Sequence, residues 1–209
     1  MGAFEHVVGS VEELREVVPE PGALSLNKEV SALDEHCRAF VERSPLVLVG
    51  TAAADGRCDV SPRGGPPGFV AVLDERRLAV PDLPGNRRLD SLRNVVENPC
   101  VGLLFLIPGL DETLRVEGRA WVVRDDDVLA RCEVRGRRRA LAIGVEVTSA
   151  FIHCAKAFRR GSVWDPAAWP DRSGMASIAC MLRDHVGARE TPVEAVQESL
   201  DHSYATTMW

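Results

Sequence analysis

The chain lacks the signatures by which most enzymes announce themselves. It has no GxGxxG, no phosphate loop ending in GK[ST], no GxSxG and no HExxH. Its six cysteines (Cys37, Cys58, Cys100, Cys132, Cys154, Cys180) include no CxxC pair, which excludes a recognisable zinc site or disulfide framework and suits reduced, partly buried fillers. The histidines His6, His36, His153, His185 and His202 are too scattered for metal-ligand spacing. No apolar run is long enough for a bilayer span, and MGAFEHVVGSVEELRE has neither the basic start nor the apolar centre of a signal peptide. A cytoplasmic protein without a membrane partner is the expectation. A net charge of −6 argues against a general nucleic-acid binder.

What is present is an ordinary globular composition, 45% hydrophobic and 27% charged, in 209 residues. That is enough for one core, with terminal extensions. Positive charge is gathered locally at Arg87/Arg88/Arg93, Arg137–Arg139 and Arg159/Arg160, as small-anion sites or solvated loops. The stretch around Arg135–Arg139 reads as an exposed connection.

Along the chain, Ser10 with Glu13 makes a capping box for a helix to about Val17, and residues 22–30 read as loop. Ser31 can cap a second helix carrying Leu33, Cys37, Phe40 and Val41 on one face. From Leu46 the texture is β: strands over 46–49, 57–61, 69–73, 77–80, 100–107, 113–123 and 141–152, with Asp55-Gly56 and Pro108-Gly109 as turns. Residues 62–68, rich in Gly and Pro, read as an irregular loop. Short helices are expected at 125–132, 155–163, 175–185 and 192–200. Strands joined by hairpins, with helices only as interruptions and flanks, predict a mainly β (α+β) antiparallel barrel of six or seven strands. The divisions expected are a helical extension (1–30), a barrel domain (31–169) and a second helical extension (170–209).

The segment PDLPGNRRLDSLRNVVEN organises the site. It leaves a strand, turns at Pro84-Gly85 and predicts a helix with Asn86, Arg87 and Arg88 in its first turn. Unpaired N–H groups and two forked guanidiniums there suit phosphate; the competing reading is an amphipathic helix with solvated arginines. Ser61, Arg63, Lys156, Arg159 and Arg160 gather further donors near strand ends, with His153 and Trp164 nearby. Such a set suits a phosphorylated, planar cofactor that carries the chemistry itself. Each member also has a structural reading: Arg63 as a strand cap, His153 as a satisfied histidine, Trp164 as core packing, Lys156 and Arg160 as a solvated face. No catalytic acid or base can be named.

SPRGGPPGFVAVLDERRLAVPDLPGNRRLDSLRNVVENPCVGLLFLIPG, then ETLRVEGRA and FIHCAKAFRRGSVWDP, resembles the pyridoxamine 5′-phosphate oxidase-like family of FMN-binding split barrels, over roughly Leu24 to Trp169. The resemblance implies a six-stranded split barrel and a homodimer with FMN at the subunit interface. It places Val60, Ser61, Pro62 and Arg63 along the ring and ribityl chain, and Val80 and Pro81 beside the isoalloxazine. Asn86 and Arg88 become the phosphate anchors, with Arg87 as helper. Glu112 and Thr113 approach the flavin from the partner chain, and His153, Lys156, Arg160 and Trp164 close its other side. The implied activity is FMN-dependent oxidoreduction, two electrons passing between flavin and a small substrate or NAD(P)H. A flavin-binding or sensing protein without turnover, or a haem or deazaflavin binder with His153 as the haem ligand, are the alternatives. Gly65 stands where an acidic residue is expected and Arg87 where a second asparagine is common. The substrate motif of pyridoxamine phosphate oxidation is not visible, which argues against vitamin B6 as substrate.

Overall fold

The computed structural model describes residues 4–209; the first three residues of the predicted N-terminal extension lie outside it. Among the described residues, seven antiparallel strands form one sheet. In chain order they are β1 (Leu46–Ala52), β2 (Cys58–Gly64), β3 (Ala71–Val72), β4 (Arg77–Pro81), β5 (Cys100–Leu106), β6 (Thr113–Val123) and β7 (Ala142–His153). Their order in the sheet is β2-β1-β5-β6-β7-β4-β3. The extra strand relative to the six implied by family resemblance is accommodated by the two-residue β3, paired only with β4.

This order forces curvature. β2 and β3 are successive in the chain yet lie on opposite edges. Seven strands laid flat would hold those edges about 29 Å apart. The chain from Gly64 to Ala71 spans at most about 25 Å when fully extended, and it turns on the way, Phe69 N–H donating to Pro66 C=O at 3.0 Å. The sheet therefore closes on itself as a split barrel.

The alternation of β1 puts Val47 and Val49 inside, where they meet Leu103 and Phe105 of β5, Leu114 and Val116 of β6, and Leu78 and Val80 of β4. At Glu117/Gly118 a bulge shifts the β6–β7 register. A Cβ on Gly118 would lie 2.1 Å from Glu146 O, so only glycine fits this close approach.

The described residues include eight α-helices: α1 (Val11–Val17), α2 (Ala23–Asn27), α3 (Glu35–Arg43), α4 (Asp90–Glu97), α5 (Asp126–Arg131), α6 (Lys156–Arg160), α7 (Ile178–His185) and α8 (Val193–Thr207). α2 occupies part of the stretch expected as loop. α3 starts at Asp34 rather than Ser31, because the Asp34 carboxylate accepts from Cys37 N–H at 2.7 Å. That bond holds the Asp34 carboxyl below the usual carboxylate range. β2 runs through Gly64, where an irregular loop was expected, because β1 pairs with it as far as Leu46↔Gly64. α8 extends well past residue 200.

Candidate functional site

The segment after β4 differs from the expected helix start. α4 begins at Asp90, and Leu89 before it is left-handed (φ 62°) with no side-chain cap. Arg87 is left-handed too (φ 60°), a conformation that β-carbon crowding disfavours. Asn86 Oδ1 accepts from Arg88 N–H at 3.0 Å and tightens the loop. Asn86, Arg87 and Arg88 thus sit on an irregular loop ahead of the helix, and they separate. Arg88 turns outward to Asp90 (2.7 Å), which holds the Asp90 carboxyl below its usual range. Asn86 and Arg87 line a cavity of about 570 Å³.

Three other elements meet there. Arg63, next to the end of β2, is largely buried and bonds through Nη1 to Asp82 Oδ1 at 2.9 Å. Arg138 and Arg139 enter from the connection before β7, and Ser203 and Thr207 from α8. The lining therefore carries four arginines against the single carboxylate of Asp82, in a chain that is acidic overall. Arg138 is engaged by Asp126, through its carbonyl and carboxylate oxygens. Among the described residues, Arg63 Nε and Arg139 Nε and Nη2 are buried without a hydrogen-bond partner. A buried guanidinium N–H without an acceptor is costly, and an anion held here supplies one. A phosphate monoester fits this donor set in charge and in its number of acceptor oxygens.

Val80 and Pro81 are buried beside this cavity's loop, paired with Ile143 and Ala142. Ser61 lies on the same face of β2 as Arg63, while Val60 and Pro62 alternate to the other and are exposed.

The remaining expected site residues form a second cluster. Thr113 pairs with His153 where β6 begins and β7 ends. His153 is exposed and stacks on Phe151 with ring centroids 6.0 Å apart. Lys156 and Arg160 are exposed on α6, and Trp164 stacks on Phe158 while its Nε1 donates to Leu110 O at 2.9 Å. Arg159 bonds Asp111 at 3.0 Å and approaches Glu112 at 4.0 Å. Pro81 pairs with Ala142 at one end of β7, and Thr113 with His153 at the other. The two clusters therefore sit at opposite ends of the twelve-residue β7.

Sequence reasoning passes over Asp82, Ser203 and Thr207, and names Arg138 and Arg139 only within a basic cluster read as a small-anion site or an exposed connection. The local signal of Arg138 and Arg139 is their place in a basic run, and that run looks like any solvated connection.

A curled antiparallel barrel with an arginine-lined cavity defines the class: a split-barrel protein. Residues 33–152, more than half of the chain, match the family model described as pyridoxamine 5′-phosphate oxidase, and the chain belongs to that family. The match runs from the segment leading into α3 almost to the end of β7, so α7 and α8 lie outside it. No curated protein matches the sequence. Similar solved structures include a candidate pyridoxamine 5′-phosphate oxidase from Lactobacillus delbrueckii (25% identity, 58% of this chain and 95% of that one, TM-score 0.44). Others are HutZ, a haem storage protein from Vibrio cholerae (16%, 57% and 94%, 0.39), and an FAD-binding protein from Mycobacterium smegmatis (16%, 59% and 99%, 0.40).

Proposed function

We propose that this chain binds FMN and acts as a flavin-dependent oxidoreductase on a small substrate. The observation that carries the reading is the set of buried, unpartnered guanidinium N–H groups of Arg63 and Arg139 in a cavity whose lining is cationic. Arg63 and Arg87 would hold the phosphate, Asp82 orients Arg63, and Asn86 shapes the loop that presents Arg87. The flavin, once bound, supplies the two-electron redox chemistry. The chain's own part is to bind, orient and shield.

The second cluster belongs to the same site only if it comes from a second copy. The site is therefore completed in a homodimer, with His153, Lys156, Arg160 and Trp164 of one chain reaching the cofactor held by Arg63 and Arg87 of the other. A twofold pairing supplies two such sites. His153, the residue a haem reading requires, would reach the same cavity by the same route, from the second chain. Among the described residues, no helix is long and apolar enough to cross a membrane.

Reconstitution tests the reading. Protein incubated with FMN and then desalted should stay yellow and bleach with dithionite. Failure to retain FMN contradicts the binding assignment. Retention without reduction by NAD(P)H or by any substrate screened leaves a flavin carrier and removes the oxidoreductase assignment.

A further inference from the structure

The family segment ends at residue 152, yet the cavity has a wall that lies beyond it. Ser203 and Thr207 stand on α8, four residues apart and hence on one face. Two residues past that helix, Trp209 packs against the main core.

Trp209 also grips the arginine turn. Val134 and Arg137 exchange backbone hydrogen bonds (3.2 and 3.1 Å) around Arg135 and Gly136, both at positive φ (53° and 69°). That is the two-residue turn in which Asn-Gly is preferred, and arginine at its first central position is strained. The turn is held from outside. The Arg135 guanidinium lies 4.0 Å from the centroid of the Trp209 ring, and Arg137 Nη1 donates to Trp209 O. Val134 is buried beside them. Two residues beyond Arg137 comes Arg139, half-buried, with Nε and Nη2 unpartnered.

We propose that Arg139 is a ligand-binding cation of the phosphate cavity, and that Trp209 positions it by holding the turn 134–137. Arg139 then acts beside Arg63 and Arg87, and the C-terminal helix of this chain becomes part of its anion site. The ligand class is a phosphate monoester. The proposal rests on reading the cavity as a phosphate site, and its test separates the two.

The protein and its Arg139→Gln, Arg139→Lys, Trp209→Ala and Trp209→Phe variants are titrated with FMN and with riboflavin, which lacks the phosphate. Thermal shift with inorganic phosphate is measured in parallel. Losing a charged hydrogen-bond donor should weaken FMN binding ~10-fold or more in R139Q, leave riboflavin binding unchanged, and place R139K between. W209A should weaken FMN in the same direction, W209F should recover most of it, and W209A should add nothing in the R139Q background. A general loss of fold would instead weaken FMN and riboflavin alike. If R139Q binds FMN as tightly as the parent, the assignment of Arg139 is overturned; if W209A does, the role of Trp209 is. If the parent binds no FMN but gains a phosphate shift that R139Q lacks, the flavin reading falls and the Arg139 anion site stands. A phosphate shift equal in both, or absent in a parent that binds no FMN, overturns the site itself.

Discussion

Arg63 Nη1 donates to Asp82 Oδ1 at 2.9 Å, joining the end of β2 to the residue after β4 and leaving Arg63 Nε buried without an acceptor. The pair sets the guanidinium in place before any ligand arrives. Arg63→Gln removes a donor and leaves the Asp82 carboxylate facing a cavity read as a phosphate site. FMN affinity should drop by about 1.5–3 kcal/mol, tenfold to a hundredfold. Adding Asp82→Asn should recover part of that loss by removing the repulsion. Arg88→Gln should change FMN affinity little, because Arg88 is exposed and engaged with Asp90. Equilibrium titration of the four proteins checks all three outcomes.

The scaffold under the loop depends on a buried polar contact. Asn94 Nδ2 of α4 donates to Thr51 Oγ1 of β1 at 3.0 Å, and both residues are buried. Nearby, Ser91 Oγ donates to Asp59 Oδ2 at 2.6 Å. These two bonds fix α4 against β1 and β2 and so fix the loop that precedes it. Asn94→Ala leaves Thr51 without its donor in the interior, and should lower unfolding free energy by about 1–3 kcal/mol. Urea denaturation measures it.

Alkaline pH should destabilise the fold through two thiols. Burial pushes Cys37, and also Cys132, from 9.0 up to about 11. An unfolded chain loses these protons near pH 9 while the folded chain keeps them to about pH 11. Below pH 9 the native advantage is complete, and it fades as pH rises between those values. Denaturation midpoints across pH 8 to 11 should fall, and fall less in a Cys37→Ala/Cys132→Ala variant compared with its own neutral value. Both thiols should also resist Ellman's reagent until the protein unfolds.

A site shared between chains has a signature that mutation of one chain cannot mimic. A variant lacking Arg63 and Arg87 and a variant lacking Lys156 and Trp164 should each fail to hold FMN. Mixed by co-unfolding and refolding in equal amounts, they should regain about a quarter of the sites, since half the dimers are mixed and each has one intact cavity. No recovery on mixing would contradict a site shared between chains, and FMN retention by the variant lacking Lys156 and Trp164 would place the second cluster outside the site.

Much of the barrel was legible because strand alternation is a local signal. β6 matches its predicted span at both ends, and Gly56 adopts the positive φ that Asp-Gly turns use. Helix starts were harder. Ser31 and Asp34 are both good caps, and the choice rests on which side chain reaches an N–H. The loop at Asn86 was misread for a sharper reason: nothing in the residue types Arg87 and Leu89 announces left-handed backbone, and those two residues delay α4 to Asp90. As for Arg139, its surroundings are set by α8 and Trp209, far away in sequence, and local pattern carries no record of such packing.

The most direct measurement compares FMN with riboflavin on the protein, by calorimetry at low and at high salt. Two or more charged hydrogen bonds to the phosphate predict that FMN binds about a hundredfold tighter or more, and that added salt narrows the gap. Equal affinities for the two, unchanged by salt, would contradict the account.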